Sequence, residues 1–244
     1  MRRSWLQRCC QIALFISIYG VTVSATAGIQ VFATRLIFDG NKKEASLRIE
    51  NVSPAAALIQ TWLEHNKGTP ENTPLPFFVT PPLSRIEGQQ QNVLRVRRTG
   101  IALPADKEAV FWLNIKEIPQ VVSVENALQF AINTRIKLFF RPSDLTICAA
   151  DAYTKLHWRV VQKESGLALQ VSNPTPCFIT LANLVLNDKD KVDIAAVQML
   201  SPFSDVNYDL GSGAKQAAEI HGITYQTIND YGGETPALKV QPSH

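Results

Sequence analysis

Two basic residues stand where strands would bury them. Arg35 lies inside the apolar run Val31 to Phe38, and Lys137 lies between Ile136 and Leu138. A half-buried cation is costly unless it meets an anion, and a guanidinium converging with an ammonium suits a carboxylate. Two other readings stand beside this one: an intramolecular pair with Asp39 or Glu44, or stems that snorkel and leave their heads in water. The histidines offer no joint chemistry, because His65, His157, His221 and His244 are dispersed and lack metal-ligand spacing. No nucleophile elbow or phosphate-cradling glycine loop occurs, and Gly211-Ser212-Gly213 reads as a flexible turn. The expectation is a protein that binds rather than catalyses, without metal or cofactor.

A second feature points to binding. Leu128, Phe130 and Ile132 alternate with Gln129, Ala131 and Asn133, so an extended chain puts the three large apolar side chains on one face. This is either the core face of a sandwich strand or an edge strand that offers its apolar residues to a partner. Strict alternation puts Lys137 on the face opposite Phe130, so either a bulge intervenes or the two act on different surfaces.

The elements that must position these residues are strands. Runs rich in β-branched and aromatic residues cover Ile29 to Phe38, Ala45 to Glu50, Ala57 to Leu63, Asn92 to Arg97, Ala109 to Ile118 and Ala127 to Phe140. Turn chemistry at Asp39-Gly40-Asn41, Asn51 to Pro54, Asn66-Lys67-Gly68 and Glu87-Gly88 separates them. The spacing suggests a β-sandwich. After Arg141-Pro142 a polar stretch leads into a new series: Leu156 to Val161, Leu167 to Ser172, Cys177 to Leu186, Val197 to Leu200 and Ile223 to Ile228. The fold expected is all-β, with two sandwich domains over residues 28–144 and 145–244.

Residues 1–27 read as an export signal: Arg2, Arg3 and Arg8, an apolar run from Gln11 to Val23, then Ala25-Thr26-Ala27. The run is shorter than the roughly 20 residues that span a bilayer, so no membrane anchor is expected in the mature chain. The 24 basic residues lose three with the signal and the 21 acidic residues lose none, leaving 21 of each. A neutral mature chain gives no compositional argument for a nucleic-acid partner or an anionic membrane. The Arg95, Arg97 and Arg98 cluster alternates with Leu94 and Val96 and reads as a solvated strand face. Cys148 and Cys177 remain after processing. In an oxidising compartment they either form a disulfide or stay two small buried hydrophobes.

The segment Leu103-Pro104-Ala105-Asp106-Lys107-Glu108-Ala109-Val110-Phe111-Trp112-Leu113-Asn114-Ile115-Lys116-Glu117-Ile118-Pro119 resembles the signature of the periplasmic pilus chaperones of the chaperone/usher pathway. Thr34 to Gly40, Thr80-Pro81-Pro82, Ile136 to Pro142, Asn173-Pro174-Thr175-Pro176 and Ile228 to Gly233 resemble further family pieces, in the family's order. The resemblance implies two immunoglobulin-like domains arranged as a boomerang around a cleft, which binds a pilin whose own sandwich lacks a strand. It implies that Arg35 and Lys137 anchor the subunit's C-terminal carboxylate and that Leu128, Phe130 and Ile132 are donor residues. It further implies an interdomain bridge of Glu117, Arg141 and Asp230 and a cis peptide before Pro81. The short segment between Pro119 and Leu128 resembles the short-loop branch. Pilus subunits and an outer-membrane usher are the implied partners, the periplasm is the implied location, and an exposed apolar edge favours transient self-association. A secreted immunoglobulin-like adhesin or pilus-associated binding module is the alternative.

Overall fold

The computed structural model describes residues 28–70, 72–119, 130–164, 166–186, 190–191, 199–210 and 220–243. The expected signal, residues 1–27, and Leu128 lie outside the described residues.

Among the described residues, the first sandwich takes nine strands: β1 (Ile29–Val31), β2 (Arg35–Asp39), β3 (Glu44–Asn51), β4 (Ala57–His65), β5 (Phe77–Thr80), β6 (Leu83–Ile86), β7 (Gln91–Arg98), β8 (Ala109–Ile118) and β9 (Asn133–Arg141). One sheet has the order β1-β3-β7-β5 and the other β2-β9-β8-β4-β6. Alternation drives this packing. In β7, for example, Leu94 and Val96 are buried while Arg95 and Arg97 point outward to Glu44. Phe38, Phe77, Phe111 and Phe140 meet between the sheets, with the Phe77 ring centroid 4.8 Å from Phe38, 5.3 Å from Phe111 and 6.0 Å from Phe140. The run expected from Ile29 to Phe38 is divided: β1 joins one sheet and β2 the other, so the chain crosses the sandwich at Phe32-Ala33-Thr34. The peptide between Thr80 and Pro81 is cis.

The short helix α1 (Ile147–Ala150) leads to the second sandwich: β10 (His157–Lys163), β11 (Gly166–Asn173), β12 (Ile179–Leu186), β13 (Asp190–Lys191), β14 (Met199–Leu200), β15 (Ser204–Asp209), β16 (Ile223–Thr227) and β17 (Leu238–Val240). Its sheets run β10-β11-β15 and β13-β12-β16-β17, with β14 added to β12. Trp158 and Tyr225 pack with centroids 5.0 Å apart over a core of Leu169, Leu181, Leu184 and Leu200. Cys148 and Cys177 are joined in a disulfide, with Cα atoms 5.3 Å apart. Two separate cores thus stand on either side of the Arg141-Pro142 junction.

Candidate functional site

Strand β9 is covered unevenly, and the site follows from that. Along one edge it pairs with β8 from Asn133 to Phe140; along the other it pairs with β2, in parallel, only from Lys137 to Arg141. Among the described residues, the other edge of Asn133 to Ile136 therefore has no strand partner. Open backbone groups on a sheet edge are a template for another strand. The first pair of the β2–β9 ladder is Arg35 opposite Lys137, so both cations stand where the open edge begins.

Neither cation takes the intramolecular route. Glu44 is occupied by Arg95 and Arg97, and the Asp39 carboxylate accepts from the backbone N–H of Asn41. Arg35 donates from one terminal nitrogen to the Ile228 carbonyl, 3.2 Å away, and its guanidinium lies 5.7 Å from the Phe139 ring centroid. Its Nε is buried without a partner. The Lys137 Nζ stands 5.8 Å from the centroid of Trp112, its neighbour across the strands. Burial holds both groups below their ordinary pKa values, and the charge of Arg35 lowers Lys137 further. Among the described residues no carboxylate forms an ion pair with either, so an arriving anion would recover part of what burial costs.

The alternating residues divide as follows. Phe130 is 75% exposed and Ile132 is 55% exposed, so neither is a core residue. The β8–β9 ladder runs without a register shift, which leaves Ile136, Leu138 and Phe140 inward and Lys137 outward. Ile132, whose carbonyl still accepts from the Glu117 N–H at 3.0 Å, keeps the phase of the inward set beyond the end of the core. No bulge separates Ile132 from Lys137, so the exposed apolar residues and the lysine lie on opposite faces of one extended segment.

Between the sandwiches lies a cleft of about 300 Å³ whose lining includes Arg35, Phe139, Phe178, Ile228, Asp230 and Tyr231. Arg141 closes it at the junction. Its Nε donates to Glu108 at 2.6 Å, and its terminal nitrogens grip Asp230 of the second sandwich at 2.6 and 2.8 Å. Glu108 also accepts the Phe178 N–H at 2.8 Å and is nearly sealed from water, with its side chain 1% exposed. Burial opposes the charge of Arg141, but hydrogen bonds to Asp230 and the charge of Glu108 outweigh it and raise its pKa. Burial pushes Glu108 up despite Arg141.

The expected bridge is therefore corrected in one member: Glu108, not Glu117, completes it. Glu117 lies nine residues further along the chain, at the far end of β8, which at about 3.3 Å per residue puts it roughly 30 Å away. There it pairs opposite Ile59, with its carboxylate against Gly28. The signal that could have singled out Glu108 was its place immediately before an apolar run, but Asp106-Lys107-Glu108 reads as a solvated charged turn.

Two family models match the chain: the pili and flagellar-assembly chaperone N-terminal domain over residues 28–146 and the pili assembly chaperone C-terminal domain over residues 151–239. The probable fimbrial chaperone ElfD of Escherichia coli O157:H7 is 35% identical over 230 residues, covering 93% of this chain and 92% of that protein. The chaperone FimC of Escherichia coli K12 is 35% identical over 219 residues, 88% and 84% of the two chains. Among solved structures, the SafA pilin–SafB chaperone complex of Salmonella enterica matches with a TM-score of 0.74 and 29% identity, covering 88% of this chain and 96% of the matched one. The adhesin alternative has no support among these relatives. Two immunoglobulin-like sandwiches, with a cleft between them, and full-length kinship to fimbrial chaperones lead to one conclusion: the chain belongs to the family of pilus-assembly chaperones of the chaperone/usher pathway.

Proposed function

We propose that this chaperone caps a pilus subunit by adding the open half of β9, with the extended residues that precede it, to the subunit's incomplete sandwich while Arg35 and Lys137 hold the subunit's C-terminal carboxylate. The observation that carries the reading is that two cations, with no ion pair to either among the described residues, stand at the point where β2 stops covering β9. A strand docked there lies in line with β2. If it runs parallel to β9 its C-terminus meets the two cations, whereas an antiparallel strand would bring an ammonium to them. Charge thus selects direction. The fixed terminus then sets register, and register decides which pocket receives Phe130 and which Ile132, because a one-residue slip reverses the faces. Leu128 is proposed as a third donor on the alternation alone.

The remaining assignments belong to the same reading. The chain works in the periplasm by binding rather than catalysis, delivers its subunit to an outer-membrane usher, and divides into sandwiches over residues 28–144 and 145–244. Arg141, Glu108 and Asp230 hold the angle between them. The exposed donor edge is open to a second copy at high concentration, which sedimentation over a dilution series would detect.

The test is co-purification of a co-expressed pilin, encoded beside this gene, with the native chain, Arg35→Ala and Lys137→Ala. Each substitution should cost roughly 2 to 5 kcal/mol of subunit binding, about one and a half to three and a half decades in affinity. Equal retention by all three would refute the anchor. A second arm, Phe130→Ser with Ile132→Ser, should weaken capture without lowering the chaperone's own melting temperature, since both side chains are exposed when it is free.

A further inference from the structure

The anchor proposed above leaves two cations side by side in a partly dry site, and like charges there repel and disfavour protonation. Something must hold Lys137 extended and charged before a subunit arrives. Among the described residues no carboxylate is paired with it. What faces it is the indole of Trp112, directly across the β8–β9 ladder, with its centroid 5.8 Å from Nζ. That is within the range at which a ring face attracts an ammonium.

The indole is itself fixed. Its Nε1 donates to the Asn66 side-chain oxygen at 3.3 Å. Arg135 lies 4.4 Å from the centroid and is tied to Glu64 at 2.9 Å, while the other Glu64 oxygen accepts the Trp62 Nε1–H at 2.8 Å. Two cations therefore share one ring, but Glu64 neutralises Arg135 and leaves Lys137 as the cation without an anion. Among the described residues, the charged groups around Lys137 are thus Arg35 on β2, Arg135 on its own strand and Glu64 on β4, of which Glu64 is occupied.

We propose that Trp112 is a positioning residue of the carboxylate anchor: its ring face holds the Lys137 ammonium in place until a carboxylate meets it. This rests on the anchoring function proposed above. The ring touches no part of the bound carboxylate in this scheme; it acts through the lysine. Its effect should appear in the discrimination between a free carboxylate and its neutral amide, not in the affinity common to both.

The probe is a peptide copying the C-terminus of the pilin encoded beside this gene, as free acid and as amide, titrated against the full chain. The native protein should prefer the acid. Trp112→Leu should lower that preference about fivefold and leave amide binding unchanged, and Trp112→Phe should keep most of it. Should Trp112→Leu fail to fold, site-specific incorporation of progressively fluorinated tryptophan keeps the shape and drains charge from the ring face, and the acid preference should fall with each fluorine. An acid preference that stays flat across the fluorinated series, or that Trp112→Leu leaves intact while both ligands weaken together, overturns the positioning role alone. A native protein with no acid preference overturns the anchor, and this inference with it.

Discussion

Arg141 and Lys137 lie four residues apart on one face of one strand, both partly buried, and they have opposite electrostatic fates. Arg141 is saturated by Glu108 and Asp230, and its pKa rises; Lys137 faces a ring and another cation, and its pKa falls. On the proposed reading, the difference separates a charge that holds the two sandwiches together from a charge kept for a subunit. A buried pair whose members satisfy each other offsets its own desolvation, whereas a partly buried cation without an anion is a net cost to the free chain, which the proposed anchor would recover on binding.

The comparison breaks most easily at its closed side. Among the described residues, Arg141→Ala leaves the sealed Glu108 carboxylate with the Phe178 N–H as its one hydrogen-bond donor, and removing one partner of a buried pair typically costs about 3 to 5 kcal/mol. Urea unfolding should show that loss in the first transition. The double substitution Glu108→Gln with Arg141→Met should recover part of it, because the sealed Glu108 charge goes with its partner and only the more exposed Asp230, with its side chain 27% accessible, is left without its arginine. If Arg141→Ala is as stable as the native chain, the junction is not a satisfied network and the contrast with Lys137 dissolves.

The disulfide reinforces the same closed side. It ties α1, just past the junction, to Cys177, whose neighbour Phe178 both donates to Glu108 and packs its ring 5.9 Å from Phe139. A sequence separation of 29 residues corresponds to a loop-closure contribution of about 3.6 kcal/mol. Cys148→Ala with Cys177→Ala should lose about that much, read as a lower unfolding midpoint of the second sandwich, while the acid preference of the anchor survives. Loss of acid preference at temperatures where the variant stays folded would mean that the two sides are not separable.

How much of this was legible in sequence depended on the range of the interaction. Ala109 to Ile118 reads as a strand because ten residues of uninterrupted β-rich sequence leave no other choice, and its bounds agree with the fold. Arg35 and Lys137 stood out because a charge inside an apolar run breaks a local pattern. Their meeting in parallel register across two distant strands is a long-range fact that no window of sequence contains. The strands at Phe77–Thr80 and Leu83–Ile86 were hidden by the prolines around them, which read as breakers. Ser204–Asp209 was hidden by polar outward positions such as Asp205. Glu108 was missed for the converse reason: its partners lie 33 and 70 residues along the chain, and only folding shows that a charged turn residue has been sealed. Glu117 carries the expectation because it stands in the same motif.

The smallest effect sharpens the comparison most. Lys137 is held below the ordinary lysine value of 10.5, first by burial and then by Arg35. Between its lowered pKa and that value the unfolded chain binds more protons than the folded one, so the stability of the free protein rises with pH across that window. At lower pH the charged lysine is a net cost to the fold. Lys137→Met should therefore stabilise the free chaperone by up to about 1 kcal/mol, raising the melting temperature by about 2 to 4 °C, while it abolishes the acid preference. The pH-dependent gain should vanish in the variant. A matching prediction holds for binding: as pH climbs through the lowered pKa, Lys137 loses its charge and the subunit should be held less tightly, at a pH below the ordinary lysine range. If Lys137→Met instead destabilises the free protein, the lysine is satisfied without a ligand, and Lys137 and Arg141 are two versions of the same structural residue.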